Sequence, residues 1–270
     1  MLYDWHLAYD AQCMTVITGD LAACMAIVER GDPDRFLALM AMPLAARAQL
    51  APLFAMNVEV ARAPWASSEA MICEMRLQWW RDVLEEIAGG DAVRRHEVAT
   101  PLATVLPAQQ AQALDGLVAA RRWDIYRDAF EDEAALKIYL GQTGGILMSA
   151  AVAVLGGKPD AAAHHFGTAL AVAGFLQAIP ELESRGRIPM VDGRPAAVRS
   201  LAQWGLDQIA QARREGIGKK GRVAVLTAWQ AKPLLQMAQR HPEHVTNGIL
   251  HLSEVSRRWR LLAAGITRRV

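Results

Sequence analysis

Two arginines separated by one glycine, Arg185 and Arg187, follow a run of small and apolar residues at 167–176. Guanidinium groups hold planar anions through paired N–H donors. These two can therefore grip a diphosphate or a phospholipid headgroup, or can pair with Glu181 or Glu183 within a loop. Trp79-Trp80-Arg81 sets two indoles beside a cation. Either Trp79 faces a ligand cavity with Arg81 reaching its anionic groups, or the indoles make a helix–helix contact. Glu59 is the only acid among residues 56–65. His241, His244 and His251 bring three imidazoles within reach of one helical face. No Cys or Asp completes a ligand set there, so capping or solvated roles fit them better than a metal. His164-His165 is a weaker pair still. Glu85-Glu86, residues 131–133, Arg121-Arg122, Arg213-Arg214 with Lys219, Lys220 and Arg222, and Arg268-Arg269 read as solvated charge. The Arg213–Arg222 island can also touch an anionic membrane surface. No Ser/His/Asp order, phosphate-binding loop or GxGxxG run occurs.

Helices must position these groups. Asp20 is suited to cap a first helix ending at Gly31, and Asp32-Pro33 to start a second. Pro43 at a first helical position opens a third, running to about Arg62, where Pro64 breaks it. Ser67 or Ser68 caps the next, with Met71, Met75, Trp79 and Val83 expected on one face. Pro101 and Pro107 open two more. Asp132 starts a helix that Gly156-Gly157 closes, and Pro159 another that ends near Pro180. Residues 185–194 form the central loop, and Pro195 opens a helix to Gly216. Residues 218–221 read as a connector, residues 222–228 as ambiguous, and two helices flank Pro242. No alternating strand pattern stands out.

Composition agrees. The 270 residues are 53% hydrophobic but only 6% aromatic, an Ala- and Leu-rich balance that favours helix over strand. A net charge of +1 argues against nucleic acid as a partner. Cys13, Cys24 and Cys73 form no CxxC pair and read as reduced, cytoplasmic thiols. The first residues lack the basic-then-apolar order of a signal peptide. The most apolar stretches fall short of the ~18 residues needed to span a bilayer, so peripheral contact with an inner membrane is the membrane mode left open. The expectation is an N-terminal extension at 1–20 and one domain at 21–270.

Five segments, in order, resemble the squalene/phytoene synthase family. They are Asp34-Arg-Phe-Leu, residues 53–62, Met75-Arg-Leu-Gln-Trp-Trp-Arg-Asp-Val-Leu84, Tyr139-Leu-Gly-Gln-Thr-Gly-Gly145 and Arg185-Gly-Arg-Ile188. The resemblance implies an all-α, single-domain isoprenoid synthase-like bundle around a central cavity. It also implies head-to-head joining of prenyl diphosphates, with Mg²⁺ held by aspartates on two facing helices. Here the chain departs from the pattern. Aligned on its motifs, the first aspartate positions fall on Ala61, Arg62 and Trp65, and the second on Ala178 and Leu182. Only Glu59 and Glu181 keep a carboxylate nearby.

The stripped pattern is similar to a branch of the family that includes a mitochondrial complex I assembly factor. The resemblance then implies a non-catalytic protein, without cofactor, that binds a lipid, an isoprenoid or a protein partner. The candidate binding residues are Glu59, Arg62, Trp79, Arg81, Tyr139, Glu181, Arg185 and Arg187. The alternative is an active prenyl diphosphate transferase using Glu59, Glu74, Glu181 or Asp82 in a rearranged Mg²⁺ site. A third possibility is a lipid carrier that uses the cavity alone. Four or more carboxylates converging on the cavity mouth would favour the enzyme. A mouth lined by Ala61, Arg62, Ala178 and Leu182 would not.

Overall fold

Helices and short connections, without a strand, make up residues 19–126 and 128–267, which the computed structural model describes. Most of the expected N-terminal extension, Cys13, and Arg268-Arg269 lie outside the described residues. Helix α1 runs Gly19–Gly31, α2 Pro33–Met40 and α3 Leu44–Arg62, closed by a 3₁₀ turn, Ala63–Trp65. Helices α4 (Ala70–Gly89), α5 (Ala99–Val105) and α6 (Ala108–Ala120) lead to a second 3₁₀ turn, Arg121–Asp124. Then come α7 (Glu133–Leu140), a π turn (Gly141–Gly145) and α8 (Ile146–Val154). Helices α9 (Ala161–Ser184), α10 (Pro195–Glu215) and α11 (Lys219–Ala224) follow. A 3₁₀ turn (Val225–Ala228), α12 (Ala231–Arg240), α13 (Glu243–Thr246) and α14 (Glu254–Thr267) complete the order.

Side-chain caps start three helices, two of them at the expected Asp32 and Asp132 and the third at Asp160 instead of Pro159. Asp32 accepts from the Arg35 N–H at 3.0 Å, Asp132 from Ala135 at 2.7 Å and Asp160 from Ala163 at 2.9 Å. Asp20 instead lies inside the first turn of α1 and pairs with Arg95 at 2.9 Å. Pro43 is the cap residue itself, and Glu69 rather than Ser67 or Ser68 precedes α4. Residues 219–221, read as connector, and 222–224, read as ambiguous, are helical.

Two expectations fail for clear physical reasons. Pro180 does not end α9, which continues to Ser184. Proline removes one backbone bond, and the last turn is secured beyond it. Gly186 takes φ 74°, and the Arg187 N–H reaches back to the Leu182 carbonyl at 2.9 Å, the bond that closes a helix end of this type. The expected stripe on α4 also fails: Met71 and Met75 are 71% and 65% exposed. Strict spacing by four drifts about 40° per step, so it runs from solvent to core. The buried face alternates four and three, through Cys73, Leu77, Trp80, Leu84 and Ile87.

Helix α9 is the centre of the bundle and packs against α8, α10, α12 and the π turn. It is apolar on nearly all sides, as a buried helix must be. Its closest crossing is with the π turn. A Cβ on Gly167 would stand 2.2 Å from the Gly144 carbonyl oxygen, and one on Gly144 2.4 Å from that of Gly167. Backbone meets backbone there, and no side chain fits.

Gly167→Ala should therefore destabilise the protein by about 1–3 kcal/mol through overpacking, despite alanine's better helix propensity; chemical denaturation measures it. A second expectation concerns pH. Burial, and then the neighbouring His165, hold the His164 imidazole below its ordinary value. A group depressed on folding adds stability that is complete above its unfolded pKa of about 6.5 and lost as pH falls from there through its lowered value in the fold. Denaturation midpoints should drop as pH falls below about 6.5, and less so in His164→Gln.

Candidate functional site

Between α3, α7, the π turn, α8, α9 and α12 lies a cavity of about 510 Å³. Its walls are apolar where Phe54, Leu147, Met148 and Phe175 face it, with Asn57 and Thr143 adding buried polar groups. Gly174 has nothing within 4 Å of a hypothetical Cβ and opens onto the cavity instead of packing. The backbone crossing at Gly144 and Gly167 places both glycines on this wall.

The five degenerate positions come together here. Ala61, Arg62 and Trp65, from the end of α3 and its 3₁₀ turn, line the cavity, as do Ala178 and Leu182 from the end of α9. Arg62 is exposed and makes no ion pair with the described residues. Three carboxylates also line the wall, and each is held by arginine. Asp32 pairs with Arg35 at 2.6 Å, Asp34 with Arg257, and Asp124 with Arg121 at 3.1 Å.

The Asp124 cluster is buried and closed upon itself. Arg121 donates to the Tyr139 hydroxyl at 2.8 Å, and that hydroxyl donates to Asp124 at 3.0 Å. Burial pushes the Tyr139 phenol well above its ordinary value. Burial works against the Arg121 charge, but Tyr139 and Asp124 outweigh it and hold the guanidinium protonated. Tyr139, a binding candidate in the sequence, lines the cavity, and its hydroxyl is held between Arg121 and Asp124. Arg121, read in the sequence as solvated charge, is instead largely buried, because Asp124 three residues on and Tyr139 supply its partners.

Arg185 and Arg187 are absent from the wall. Both guanidiniums lie over the Trp65 ring, at 4.8 and 5.0 Å from its centre. Arg185 also pairs with Glu181 at 2.7 Å, and buried Arg187 donates to the Asp124 carbonyl. Their interactions join the two ends of the cavity mouth. Glu59 and Trp79 line a separate cavity of about 280 Å³ with Trp80 and His96. There Trp79 meets His96 at 4.8 Å, while Trp80 is the buried indole. Arg81 braces α4 to α6 through two bonds to Asp115, at 2.6 and 3.0 Å. Glu74 holds Arg122 and Tyr126, and Asp82 accepts from Gln78. Glu59, Glu74, Asp82 and Glu181 therefore do not converge on the main cavity. Near Pro242, ligand atoms of His241, Glu243 and His244 lie within 4.8 Å of one another, without His251. The basic island of α10 and α11 is exposed.

A helical bundle with this cavity is the architecture of prenyl-joining synthases, and the comparisons agree. A crystal structure of a dehydrosqualene synthase with ligand superposes with a TM-score of 0.76, at 14% identity, covering 92% of this chain and 96% of that one. Squalene synthase HpnC from Alicyclobacillus acidocaldarius gives 0.66 at 17% identity, covering 86% and 98%. The squalene/phytoene synthase family model matches residues 28–270, and the chain belongs to that family. Among curated proteins it is similar to a Drosophila melanogaster homolog of NADH dehydrogenase (ubiquinone) complex I, assembly factor 6. That match is 30% identical over 189 residues, 67% of this chain and 56% of the relative. The human assembly factor 6 is 26% identical over 180 residues, 61% of this chain and 51% of its own. The chain thus spans about half the length of these relatives.

Tyr139→Phe should destabilise the fold by about 1–3 kcal/mol, because Arg121 and Asp124 lose a buried partner that water cannot readily replace. Equilibrium unfolding by denaturant checks it.

Proposed function

We propose that this chain is a binding protein of respiratory complex I assembly, built on a prenyl-synthase scaffold without its family's head-to-head transfer. The observation that carries the reading is the set of residues at the cavity mouth. Ala61, Arg62, Trp65, Ala178 and Leu182 line it where the family resemblance puts metal-binding aspartates. The donors present do not fit an Mg²⁺-diphosphate clamp. Such a clamp needs paired carboxylates on two facing helices, and the three wall carboxylates are each engaged by arginine.

What remains suits an anion without metal. Arg62 adds a cation at the mouth, and the apolar walls behind it accept a hydrocarbon chain. We assign the cavity to an amphipathic lipid, or to an acidic partner segment whose apolar side chains enter it. The relatives named for complex I assembly support a protein partner in that process. The place we assign the chain is the cytoplasmic side of an inner membrane, in peripheral contact with it. Among the described residues no helix is long and apolar enough to cross.

Purified protein incubated with farnesyl or geranylgeranyl diphosphate and Mg²⁺ should form no head-to-head product; sustained turnover sinks the proposal. In the native cell, deletion of the gene should deplete assembled complex I on native gels. Arg62→Glu, which reverses charge at an exposed position, should fold normally yet restore assembly poorly. Full assembly in the deletion strain would remove the assembly role.

A further inference from the structure

Helix α14 shows two unlike faces. On its inner side Ala264 is buried, Arg257 pairs with Asp34 of α2, and a Cβ on Gly265 would meet Ala41 at 3.8 Å. On its outer side four large apolar residues stand in solvent. Val255, Trp259, Leu262 and Ile266 are 67%, 67%, 53% and 75% exposed. Their spacing of four, three and four places them in one stripe along the helix. Scattered apolar residues on a surface need no explanation, but an ordered stripe with an indole at its middle does.

The charges around the stripe identify what covers it. Arg258 and Arg260 are exposed and flank Trp259, about 100° to either side of it around the helix. The helix carries three arginines and one acid, Glu254, in its first turn. An apolar stripe bordered by long cationic side chains fits the headgroup layer of an anionic bilayer. The stripe enters the acyl boundary, and the guanidiniums turn back to lipid phosphates. A second copy of this chain fits less well, because a symmetric pairing sets the same arginines against each other.

We propose that α14 is a membrane-docking helix that lies flat in an anionic lipid surface, with Val255, Trp259, Leu262 and Ile266 inserted and Arg258 and Arg260 on the phosphates. Arg257, on the same helix, holds Asp34 of the cavity wall. Docking through α14 therefore also fixes where the cavity stands relative to the bilayer. The inference does not rest on the assembly role.

The test is co-flotation of the full chain with vesicles of phosphatidylcholine alone, and of phosphatidylcholine with phosphatidylglycerol. Wild type should bind the anionic vesicles at least about tenfold more strongly, and high salt should weaken binding. The double change Trp259→Glu with Leu262→Glu should reduce binding at least about tenfold, since charge replaces the inserted face. Arg258→Gln with Arg260→Gln should abolish the preference for anionic vesicles. Both pairs are exposed, so circular dichroism and melting should match wild type. Failure of wild type to bind anionic vesicles overturns the proposal, as does unchanged binding by both folded variants. A lipid-free dimer in sedimentation that Trp259→Glu splits also overturns it, because the stripe then faces a second copy.

Discussion

Trp65 carries the guanidiniums of Arg185 and Arg187 at 4.8 and 5.0 Å from its ring centre, and through them the end of α3 is tied to the end of α9. A cation over an indole is worth about 0.5–1 kcal/mol at exposed sites and about 2 when desolvated. Arg187 is buried and also holds the Asp124 carbonyl, so a third segment, the Arg121–Asp124 turn, joins the same knot. The separation of the two helix ends, and hence the shape of the mouth, depends on this stack. In the enzymes the family resemblance describes, carboxylates of two facing helices meet at metal ions. Here an indole stands at one of those positions and the link between the helices is direct.

Charge balance follows from that exchange. Loss of aspartates would leave arginines crowded and unpaired, an arrangement that costs several kcal/mol when buried. The chain resolves it locally: Arg185 takes Glu181, Arg121 takes Asp124 and Tyr139, and Arg35 takes Asp32. Arg62 stays outside these pairs, on the rim, where water reaches it. Arg185, also exposed, keeps Glu181 as its partner, so of these two rim arginines Arg62 is the one outside an ion pair among the described residues.

The order of helices, the capping aspartates and the family were legible because they rest on local chemistry and short, fixed spacings. Asp32 and Asp132 each reach an N–H only three residues away. Arg185-Gly-Arg187 set the register that puts Ala178 and Leu182 at the second motif, and both line the main cavity with Ala61, Arg62 and Trp65. The roles of the arginines were not. Arg187 meets a carbonyl 63 residues away and Arg81 a carboxylate 34 residues away, and neither spacing leaves a mark in one sequence. Trp79 and Trp80 illustrate a smaller limit. Neighbours on a helix differ by about 100°, and the apolar pattern of α4, interrupted by exposed Met71 and Met75, does not say which indole is inside.

The cavity bears on the binding role proposed above. Small-to-large changes at Gly174 or Ala171 would narrow it without touching the Gly144–Gly167 crossing in the case of Gly174, which has open space before it. A chain freed of any ligand has that simple route to a solid core. This one instead keeps Gly174 open, lines the hollow with Phe54, Met148 and Phe175, and closes its largely buried Arg121–Asp124 pair with the Tyr139 hydroxyl. Under the binding role proposed above, the apolar walls would take a hydrocarbon chain and Arg62 at the rim its anionic head.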